Sequence, residues 1–319
     1  MSGEATAGRG VVLRRSCIAV VALVAAGVVV RVTLRDTFHW LAPLFYATPP
    51  GLLVLGALAS CAAAWRLRSR AIGGTSVVLL VAALAFAGRQ FRSPGDVAHA
   101  ATPSPRPLRG VLWNVEHGDG GWDRVAELAR ATDPDVVWVV EGPGPGDGGF
   151  AALARAFPEH TLRRCGGHLC VLVRGDADVV EERKVGAGGY RATLVRLRVL
   201  GREFESLVCD ITSRPLVDRL PLLDLIRAWG ESRAAPLLIV GDFNTPTESA
   251  GFDAWRAPFR HAFESAGTGW APTWPMPVPV LEIDHVWTNA GIDVRRCEHG
   301  STTASDHRPV ELEFDVVPR

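Results

Sequence analysis

Long stretches near the N-terminus of this sequence lack charge. No charged side chain lies between Leu41 and Trp65, and the runs from Cys17 to Val30 and from Ala71 to Gly88 are also uncharged. A helix that crosses a bilayer needs about 20 mostly apolar residues. The absence of charge therefore argues against a chain that consists only of a water-soluble globule.

Lysine is nearly absent, since Lys184 is the only one in the chain, and the formal net charge is zero. That total hides two unlike parts. Residues 1–106 carry eleven arginines and three acids, or +8, whereas residues 107–319 carry an excess of acids, or −8. Nucleic-acid enzymes usually present a basic surface, so the acidic part makes nucleic acid a less favoured partner.

The uncharged runs predict a membrane region over residues 1–91 with three transmembrane helices, at about 14–34, 41–65 and 71–88. A cleaved signal peptide is the alternative for the first run, because two arginines precede a short apolar stretch. Residues 92–107 are rich in proline, alanine and serine and indicate a linker.

The placement of arginine predicts the orientation. Arg9, Arg14 and Arg15 would share one side of the membrane with the arginines of the 66–70 segment, against Arg31, Arg35, Arg89 and Arg92 on the other side. Under the positive-inside rule, this arrangement predicts a multi-pass protein of the cell membrane with a cytoplasmic N-terminus. The C-terminal domain would then lie outside the cytoplasm.

From about Leu108 the pattern changes to short β-type runs. They cover Val111–Val115, Val136–Val140, Leu169–Arg174, Ala192–Leu200, Glu203–Ile211, Leu237–Val240, Ile283–Trp287 and Pro309–Phe314. Helical stretches are indicated at Trp122–Ala131 and Leu216–Trp229. Residues 108–319 are therefore expected to form an α/β layered domain with substantial antiparallel sheet.

The six cysteines lack the paired spacing of a zinc site. Cys165 and Cys170 flank His168, but no second Cys/His pair completes such a set. A disulfide between Cys165 and Cys170 is one hypothesis, whereas Cys209 and Cys297 lie in strand-like contexts typical of buried free thiols.

Acidic and amide side chains end several of the hydrophobic strands. They are Asn114 and Glu116 in VLWNVEHG, Glu141 in VVWVVE, Asp242 and Asn244 in LLIVGDFN, Asp284 in LEIDHVW, and Asp306 and His307 in SDHRP. Strand ends are common places for catalytic groups because a rigid sheet holds them. Oxygen ligands of this kind suit Mg²⁺, with Mn²⁺ or Ca²⁺ as alternatives.

In this order, Asn114, Glu141, the GDFN segment, Asp284 and the SDH segment resemble the endonuclease/exonuclease/phosphatase superfamily over residues 108–319. The resemblance implies the layered α/β sandwich of that superfamily and a metal-dependent hydrolase. With three preceding spans and the PTWP segment at Pro272–Pro275, the chain further resembles the membrane-bound, VanJ-like teicoplanin-resistance branch.

The resemblance also implies roles for individual residues. Glu141 would be the main metal ligand, with Asn114 and Asp306 close to the metal. Asp242 would orient or deprotonate the attacking water, and Asn244 would hold the phosphate. His307, oriented by Asp284, would face the phosphoryl group, where a protonated imidazole can stabilise developing negative charge.

One position departs from the family pattern. Many members carry a histidine in a strand-end motif resembling THLxSxP, and here the segment reads VCDITSRP with Asp210 at that place. Asp210 could instead bind metal or water, or Ser213 and Arg214 could supply donors to the phosphate. Glu116 is a further candidate, because it would point to the same side as Asn114 on an extended strand.

Three functions are compatible with these features. The first is a phosphoesterase outside the membrane that acts on a phosphorylated lipid or envelope intermediate, with the bilayer and that substrate as its partners. The second is an anchored nuclease, which the acidic charge disfavours. The third is a non-catalytic envelope scaffold that keeps the fold. The sequence indicates no protein partner.

Overall fold

The computed structural model describes residues 2–93, 106–185 and 190–317, with side chains from residue 11 onward. Most of the linker expected at 92–107 lies outside the described residues. The chain forms two compact units, Met1–Phe91 and Arg92–Arg319.

The N-terminal unit is helical. Its helices are α1 (Ser2–Val32), α2 (Ala42–Ala47), α3 (Pro50–Arg66) and α4 (Arg70–Arg89). Helices α1, α3 and α4 share a small core of Val24, Leu53, Ala57, Leu79 and Ala83. Many large apolar side chains on these helices stay exposed, among them Leu55, Val78 and Val81.

The apolar run expected to form one helix over 41–65 is broken between α2 and α3, so that expectation is wrong. Pro49 has no N–H and cannot donate to the carbonyl of Phe45, four residues before it. The buried Arg31 satisfies the freed carbonyls, because its guanidinium donates to Phe45 O at 3.0 Å and to Thr48 O at 2.7 Å. The hydrogen bonds of Arg31 therefore stabilise the break between α2 and α3.

Two helices are long and apolar enough to cross a membrane, judged by length and composition alone. They are the Val11–Val32 part of α1 and the whole of α4. Helix α3 is also apolar but has only 17 residues. The expected count of three spans is therefore not confirmed.

The C-terminal unit contains strands and short helices. A short strand, β1 (Phe91–Arg92), lies at the boundary between the units. The strands that follow are β2 (Leu108–Asn114), β3 (Val136–Val140), β4 (Thr161–Arg164), β5 (Cys170–Val173), β6 (Gly175–Lys184), β7 (Arg191–Val199), β8 (Arg202–Asp210), β9 (Leu237–Asp242), β10 (Arg260–His261), β11 (Gly267–Trp270), β12 (Asp284–Thr288), β13 (Ile292–His299) and β14 (Val310–Val316). The helices are α5 (Trp122–Ala131), α6 (Gly149–Ala156), α7 (Leu220–Glu231) and α8 (Ala262–Ala266).

These strands form two sheets. One follows the order β11-β13-β14-β2-β3-β5-β4 and the other the order β10-β12-β9-β8-β7-β6. The pairs β2–β3 and β8–β9 are parallel, whereas β14–β2 and β12–β9 are antiparallel. The expected mixed α/β sandwich is confirmed.

A core of apolar side chains fills the space between the two sheets, and α5 and α7 cover their outer faces. Successive side chains of a strand point to opposite faces. In β9, Leu238 and Val240 therefore face the inner core, while Leu237 and Ile239 face α7. Asp242 continues the inner row beyond the apolar core.

The described cysteines are all free thiols, so the hypothetical disulfide between Cys165 and Cys170 is absent from the structure. Burial raises the pKa of Cys165 to about 12. Cys209 and Cys297 are buried free thiols, as expected.

Candidate active site

The polar residues that end the hydrophobic strands converge at one edge of the sandwich. The parallel strands β2, β3, β8 and β9 direct their C-terminal ends to this edge. Strands β12 and β14 run in the opposite direction and begin there. Asp242 pairs with Asp210 on one neighbouring strand and with Asp284 on the other, so three carboxyl groups lie side by side.

A buried histidine–carboxylate pair lies at the centre of this edge. His307 Nδ1 is 2.8 Å from Asp284 Oδ2, and both side chains are almost completely buried. Burial by itself opposes protonation of the imidazole. The adjacent Asp284 carboxylate, through its charge and its hydrogen bond, outweighs that effect and raises the pKa of His307 to about 10. His307 is therefore cationic at neutral pH.

The other ring nitrogen of His307 points towards two further carboxylates. His307 Nε2 lies 3.7 Å from Asp306 Oδ1 and 3.9 Å from Asp242 Oδ2. Burial and the nearby charge of Asp284 raise the pKa of Asp242 to about 7, although His307 opposes the shift. A carboxylate with such a pKa exchanges protons near neutrality, where a general base is most effective.

Asn114 joins two of the acidic residues. Its Nδ2 donates to Glu141 Oε1 at 3.1 Å and to Asp242 Oδ2 at 3.0 Å. Its Oδ1 accepts the backbone N–H of Glu116 at 3.0 Å, which fixes the orientation of the amide. Both ends of the Asn114 amide are thus engaged within the protein, so it positions the two carboxylates.

Asn244 supports Asp242 in a similar way. Its backbone N–H donates to Asp242 Oδ1 at 2.7 Å, and its Nδ2 donates to Ile211 O at 2.8 Å and to Asp242 Oδ2 at 3.2 Å. To hold a phosphate, Nδ2 would have to exchange its longer contact with Asp242 for a phosphoryl oxygen. The buried Arg219 donates to the backbone carbonyls of Thr212 and Asn244 and so ties the two loops together.

Asp306 is fixed by a neighbouring loop. Its Oδ2 accepts the indole N–H of Trp274 at 2.8 Å, and its backbone N–H donates to Glu116 Oε2 at 3.1 Å. Burial, and then the charge of Asp306, raises the pKa of Glu116. The Glu116 carboxylate therefore lies at the site, where it accepts a hydrogen bond from the backbone of Asp306.

Asp210, which departs from the family pattern in the VCDITSRP segment, is the last residue of β8. The side chain is buried, and its Oδ1 has no hydrogen-bond partner. Burial, followed by the charges of Asp242 and Glu141, raises its pKa to about 9. Ser213 and Arg214, in contrast, are exposed on the loop that follows β8.

Sequence reasoning did not single out Ser305, which links two parts of the site. Its hydroxyl donates to Asn114 O at 2.8 Å and accepts the backbone N–H of His307 at 3.0 Å. Trp274, in the PTWP segment, is a second such residue, because nothing in the sequence indicates its contact with Asp306. Only the folded loop reveals these contacts, since the residues involved are far apart in the sequence.

A second cluster, formed by His261, Glu282 and His285, is also compact enough to suggest a metal. Its hydrogen bonds indicate otherwise. His285 Nε2 lies 2.8 Å from Thr245 O and must donate there, so its Nδ1 accepts from His261 Nε2 at 3.1 Å. His261 Nδ1 in turn accepts the N–H of Glu264 at 3.3 Å. Both imidazoles are therefore neutral, and their acceptor nitrogens are already used.

The carboxyl groups at the sheet edge around His307 fit a divalent cation better than the His261–Glu282–His285 cluster does. Six acidic residues lie at this edge, linked by strand pairing or by contacts with Asn114 and His307 and with the backbone of Asp306: Glu116, Glu141, Asp210, Asp242, Asp284 and Asp306. Asp210 Oδ1 and Asp284 Oδ1 are buried without a hydrogen-bond partner, which is costly for an acidic side chain unless a cation or proton compensates it. Two of these carboxylates are accessible, since 36% of the Asp306 side chain and 29% of the Glu141 side chain are exposed.

The fold and this set of residues define a class of phosphoester-processing enzymes. The model of the Endonuclease/Exonuclease/phosphatase family matches residues 111–307, and the chain belongs to that family. Members of this superfamily are hydrolases that act on phosphoester bonds, and they typically use divalent metal ions. No curated protein matches the chain.

Solved structures show the same fold. An endonuclease/exonuclease/phosphatase family protein from Bacteroides thetaiotaomicron is 16% identical, with a TM-score of 0.56 over 68% of this chain and 100% of its own. A mannosyl-6-phosphatase from the same organism is 16% identical, with a TM-score of 0.54 over 65% and 99%. A humanized D. rerio TDP2 is 15% identical, with a TM-score of 0.55 over 66% and 99%.

Proposed function

We propose that this protein is a membrane-anchored, divalent-metal-dependent phosphoesterase. Its substrate would be a phosphate ester or pyrophosphate of a lipid or cell-envelope intermediate. The observation that carries the proposal is a contact between two groups of suitable protonation. His307 Nε2 lies 3.9 Å from Asp242 Oδ2, and the pKa is about 10 for His307 and about 7 for Asp242. The VanJ-like resemblance of the sequence points to the same kind of membrane-bound enzyme.

In this mechanism Asp242 aligns a water molecule for in-line attack on phosphorus and accepts its proton. The P–O bond opposite the incoming water breaks, and the leaving oxygen departs with the bonding electron pair. Asn114 and Asn244 hold the carboxylate in place through their amide groups. His307 donates from Nε2 to a phosphoryl oxygen, and Asp284 stabilises the charge on the ring. A preorganised cation next to developing negative charge is among the strongest sources of transition-state stabilisation.

Glu141 is our candidate for the main ligand of a divalent ion, as the family resemblance implies, with Asp306 and Asp210 as the carboxylates that would complete the set. When bound, such an ion would neutralise charge on the phosphoryl oxygens. Mg²⁺ is our proposal for its identity, because the available ligands are carboxylate oxygens. In the described geometry, Asn114 contributes indirectly by orienting Glu141.

The membrane part of the proposal rests on the two helices of sufficient length and hydropathy and on the exposed apolar side chains of the N-terminal unit. Tethering an enzyme beside lipid headgroups raises the effective concentration of a lipid substrate. The arginine distribution favours a cytoplasmic N-terminus and an extracytoplasmic catalytic domain. A reporter fused after Arg319 that is active only in the cytoplasm would overturn this orientation.

The test uses the full chain reconstituted in lipid vesicles. Phosphate or phosphoester release is measured with and without a divalent cation on a polyprenyl pyrophosphate, a phosphodiester lipid and DNA. We expect cation-dependent turnover of one of the lipids and its loss in Asp242→Ala. Asp224→Asn, at an exposed position of α7, is the matched control and should behave like the wild type.

The possible results separate the alternatives. Preferential cleavage of DNA would replace the lipid substrate with the nuclease function. If no substrate is turned over and Asp242→Ala is indistinguishable from the wild type, the chain is a non-catalytic scaffold.

A further inference from the structure

The turn between α3 and α4 carries a basic groove that the catalytic proposal does not use. The groove has a volume of about 640 Å³ and lies at the helix ends. Its lining includes Trp65, Arg66, Arg68, Arg70 and Val77. Three guanidinium groups thus line the same open space within five residues of sequence.

The three arginines lack acidic partners. Among the described side chains, no carboxylate lies within ion-pair distance of Arg66, Arg68 or Arg70, and all three are exposed. Most arginines of the C-terminal unit, in contrast, pair with aspartate or glutamate, as Arg233 does with Glu205. The positive charge of the groove is therefore uncompensated within the described unit.

The rest of the groove is apolar. Trp65 is 81% exposed at the end of α3, and Val77 is 53% exposed on α4, about two turns after Arg70. Tryptophan is enriched where a helix passes from hydrocarbon to headgroups, because its ring is apolar and its N–H needs a polar partner. Arginine binds phosphate with a planar fork of donors.

The groove has positively charged side chains at its mouth and apolar side chains along its wall, a combination that matches one kind of ligand. We propose that the groove binds the phosphate headgroup of an anionic phospholipid, with the arginines on the phosphate and with Trp65 and Val77 against the upper acyl chain. Basic pockets between membrane helices commonly bind such headgroups. The inference rests on the proposed membrane anchoring of the N-terminal unit, but it does not depend on the proposed catalytic activity.

Trp65 provides the probe for a direct test. The full chain is reconstituted in nanodiscs of phosphatidylcholine that contain a small fraction of a brominated lipid. The brominated lipid is either phosphatidylglycerol or phosphatidylcholine, and in both the bromine is attached high on the acyl chain. Bromine quenches tryptophan only at short range, and Trp65→Phe identifies the part of the quenching that comes from Trp65. We expect brominated phosphatidylglycerol to quench Trp65 at a several-fold lower lipid fraction than brominated phosphatidylcholine.

A matched pair of variants separates the groove from general charge. Arg66→Gln/Arg68→Gln should reduce the preference for phosphatidylglycerol by about fivefold or more, since one engaged arginine near a membrane surface is worth about 1 kcal/mol. Arg14→Gln/Arg15→Gln removes the same charge from α1, outside the groove, and should leave the preference unchanged. Inorganic phosphate is added in a separate measurement to test whether a soluble phosphate competes with the lipid headgroup for the groove.

Three results would overturn the proposal. The first is equal quenching of wild-type Trp65 by both brominated lipids, which needs no variant to observe. The second is an equal loss of preference in both double variants, which would indicate non-specific attraction. The third is complete loss of the lipid preference when inorganic phosphate is added, which would assign the groove to a soluble anion.

Discussion

The imidazole of His307, in the loop before β14, is held through a hydrogen bond of 2.8 Å by Asp284, the first residue of β12 and 23 residues earlier in the sequence. This bond determines which nitrogen faces the catalytic centre. Because Nδ1 is occupied by Asp284, only Nε2 is directed to the space beside Asp242 and Asp306. The pair therefore fixes both the charge and the direction of the proton donor.

The pair gives a prediction for pH dependence. The pKa of His307 is raised to about 10, so the imidazolium form persists through neutral pH and is lost as the pH rises through that value. In Asp284→Asn the ring loses its anionic partner, and its pKa should fall to or below the ordinary value of about 6.5. We expect the alkaline limb of the rate profile to move to lower pH and the rate to fall by roughly 10²-fold or more at pH 8.

Titration of the His307 ring by NMR checks the shift without relying on activity. An unchanged ring pKa in Asp284→Asn would contradict the assignment. Asp224→Asn should leave both the ring pKa and the rate profile as they are in the wild type.

Asp210 gives a prediction for stability. Its pKa in the folded protein is raised to about 9, above its unfolded value near 3.8. A raised pKa means that the folded state holds a proton that the unfolded state releases, so stability falls as the pH rises from about 4 to 9. With chelator present to remove divalent ions, Asp210→Asn should raise the free energy of unfolding at pH 8 by on the order of 3 kcal/mol.

Urea unfolding of the full chain at pH 5 and pH 8 measures this effect, and the gain should be smaller at pH 5. Asp176→Asn, at an exposed position of β6, is the control and should change stability little at either pH. A gain that is equal at both pH values would contradict the buried, protonated Asp210.

The His261–His285 pair should behave as a hydrogen-bond relay and not as a metal site. His285→Leu removes the donor to Thr245 O and the acceptor for His261, leaving two buried polar groups unpaired. We expect a loss of about 2–5 kcal/mol in the free energy of unfolding. Excess Zn²⁺ should not raise the melting temperature of the wild type through these residues, and a Zn²⁺ stabilisation that His285→Leu abolishes would contradict the relay.

The same pair predicts sensitivity to acid. Burial lowers the pKa of His285 to about 4. The unfolded chain therefore takes up a proton near pH 6.5 that the folded chain refuses until about pH 4. The contribution of His285 to the free energy of unfolding is fully present above pH 6.5 and is lost as the pH falls from about 6.5 to about 4. Unfolding curves collected between pH 7 and pH 4 should show the decline.

Trp274 and Trp270 form a matched pair for testing the loop beside the site. The indole of Trp274 donates to the carboxylate of Asp306, whereas that of Trp270 donates to the carbonyl of Pro279 within the loop. Trp274→Phe should lower kcat by roughly tenfold, because Asp306 loses a directional bond worth about 1.5–3 kcal/mol when the acceptor is charged. Trp270→Phe should have a much smaller effect, and equal losses would indicate a purely structural loop.

The strands that carry the site were largely predictable. A continuous apolar run indicated the strand Val136–Val140, and helical periodicity indicated the helix Trp122–Ala131, both with the bounds that the structure shows. Strands β6 and β13 were missed because their exposed faces carry many charges, which mask the alternation. The continuous helix over 41–65 failed because hydropathy does not register that Pro49 leaves a carbonyl without a donor.

The sequence by itself determined which residues end the hydrophobic strands, and with them the order of amide, carboxylate and imidazole groups that points to the family. It also determined the division into a basic, apolar part and an acidic part. Only the tertiary structure decided that both ends of the Asn114 amide are hydrogen-bonded inside the protein, that Asp284 contacts Nδ1 of His307 and leaves Nε2 for the site, and that His261 and His285 form a neutral relay. The reason is physical: a side chain's type is local, but its partners, its burial and hence its protonation depend on strands that are distant in sequence and adjacent only in the folded sheet.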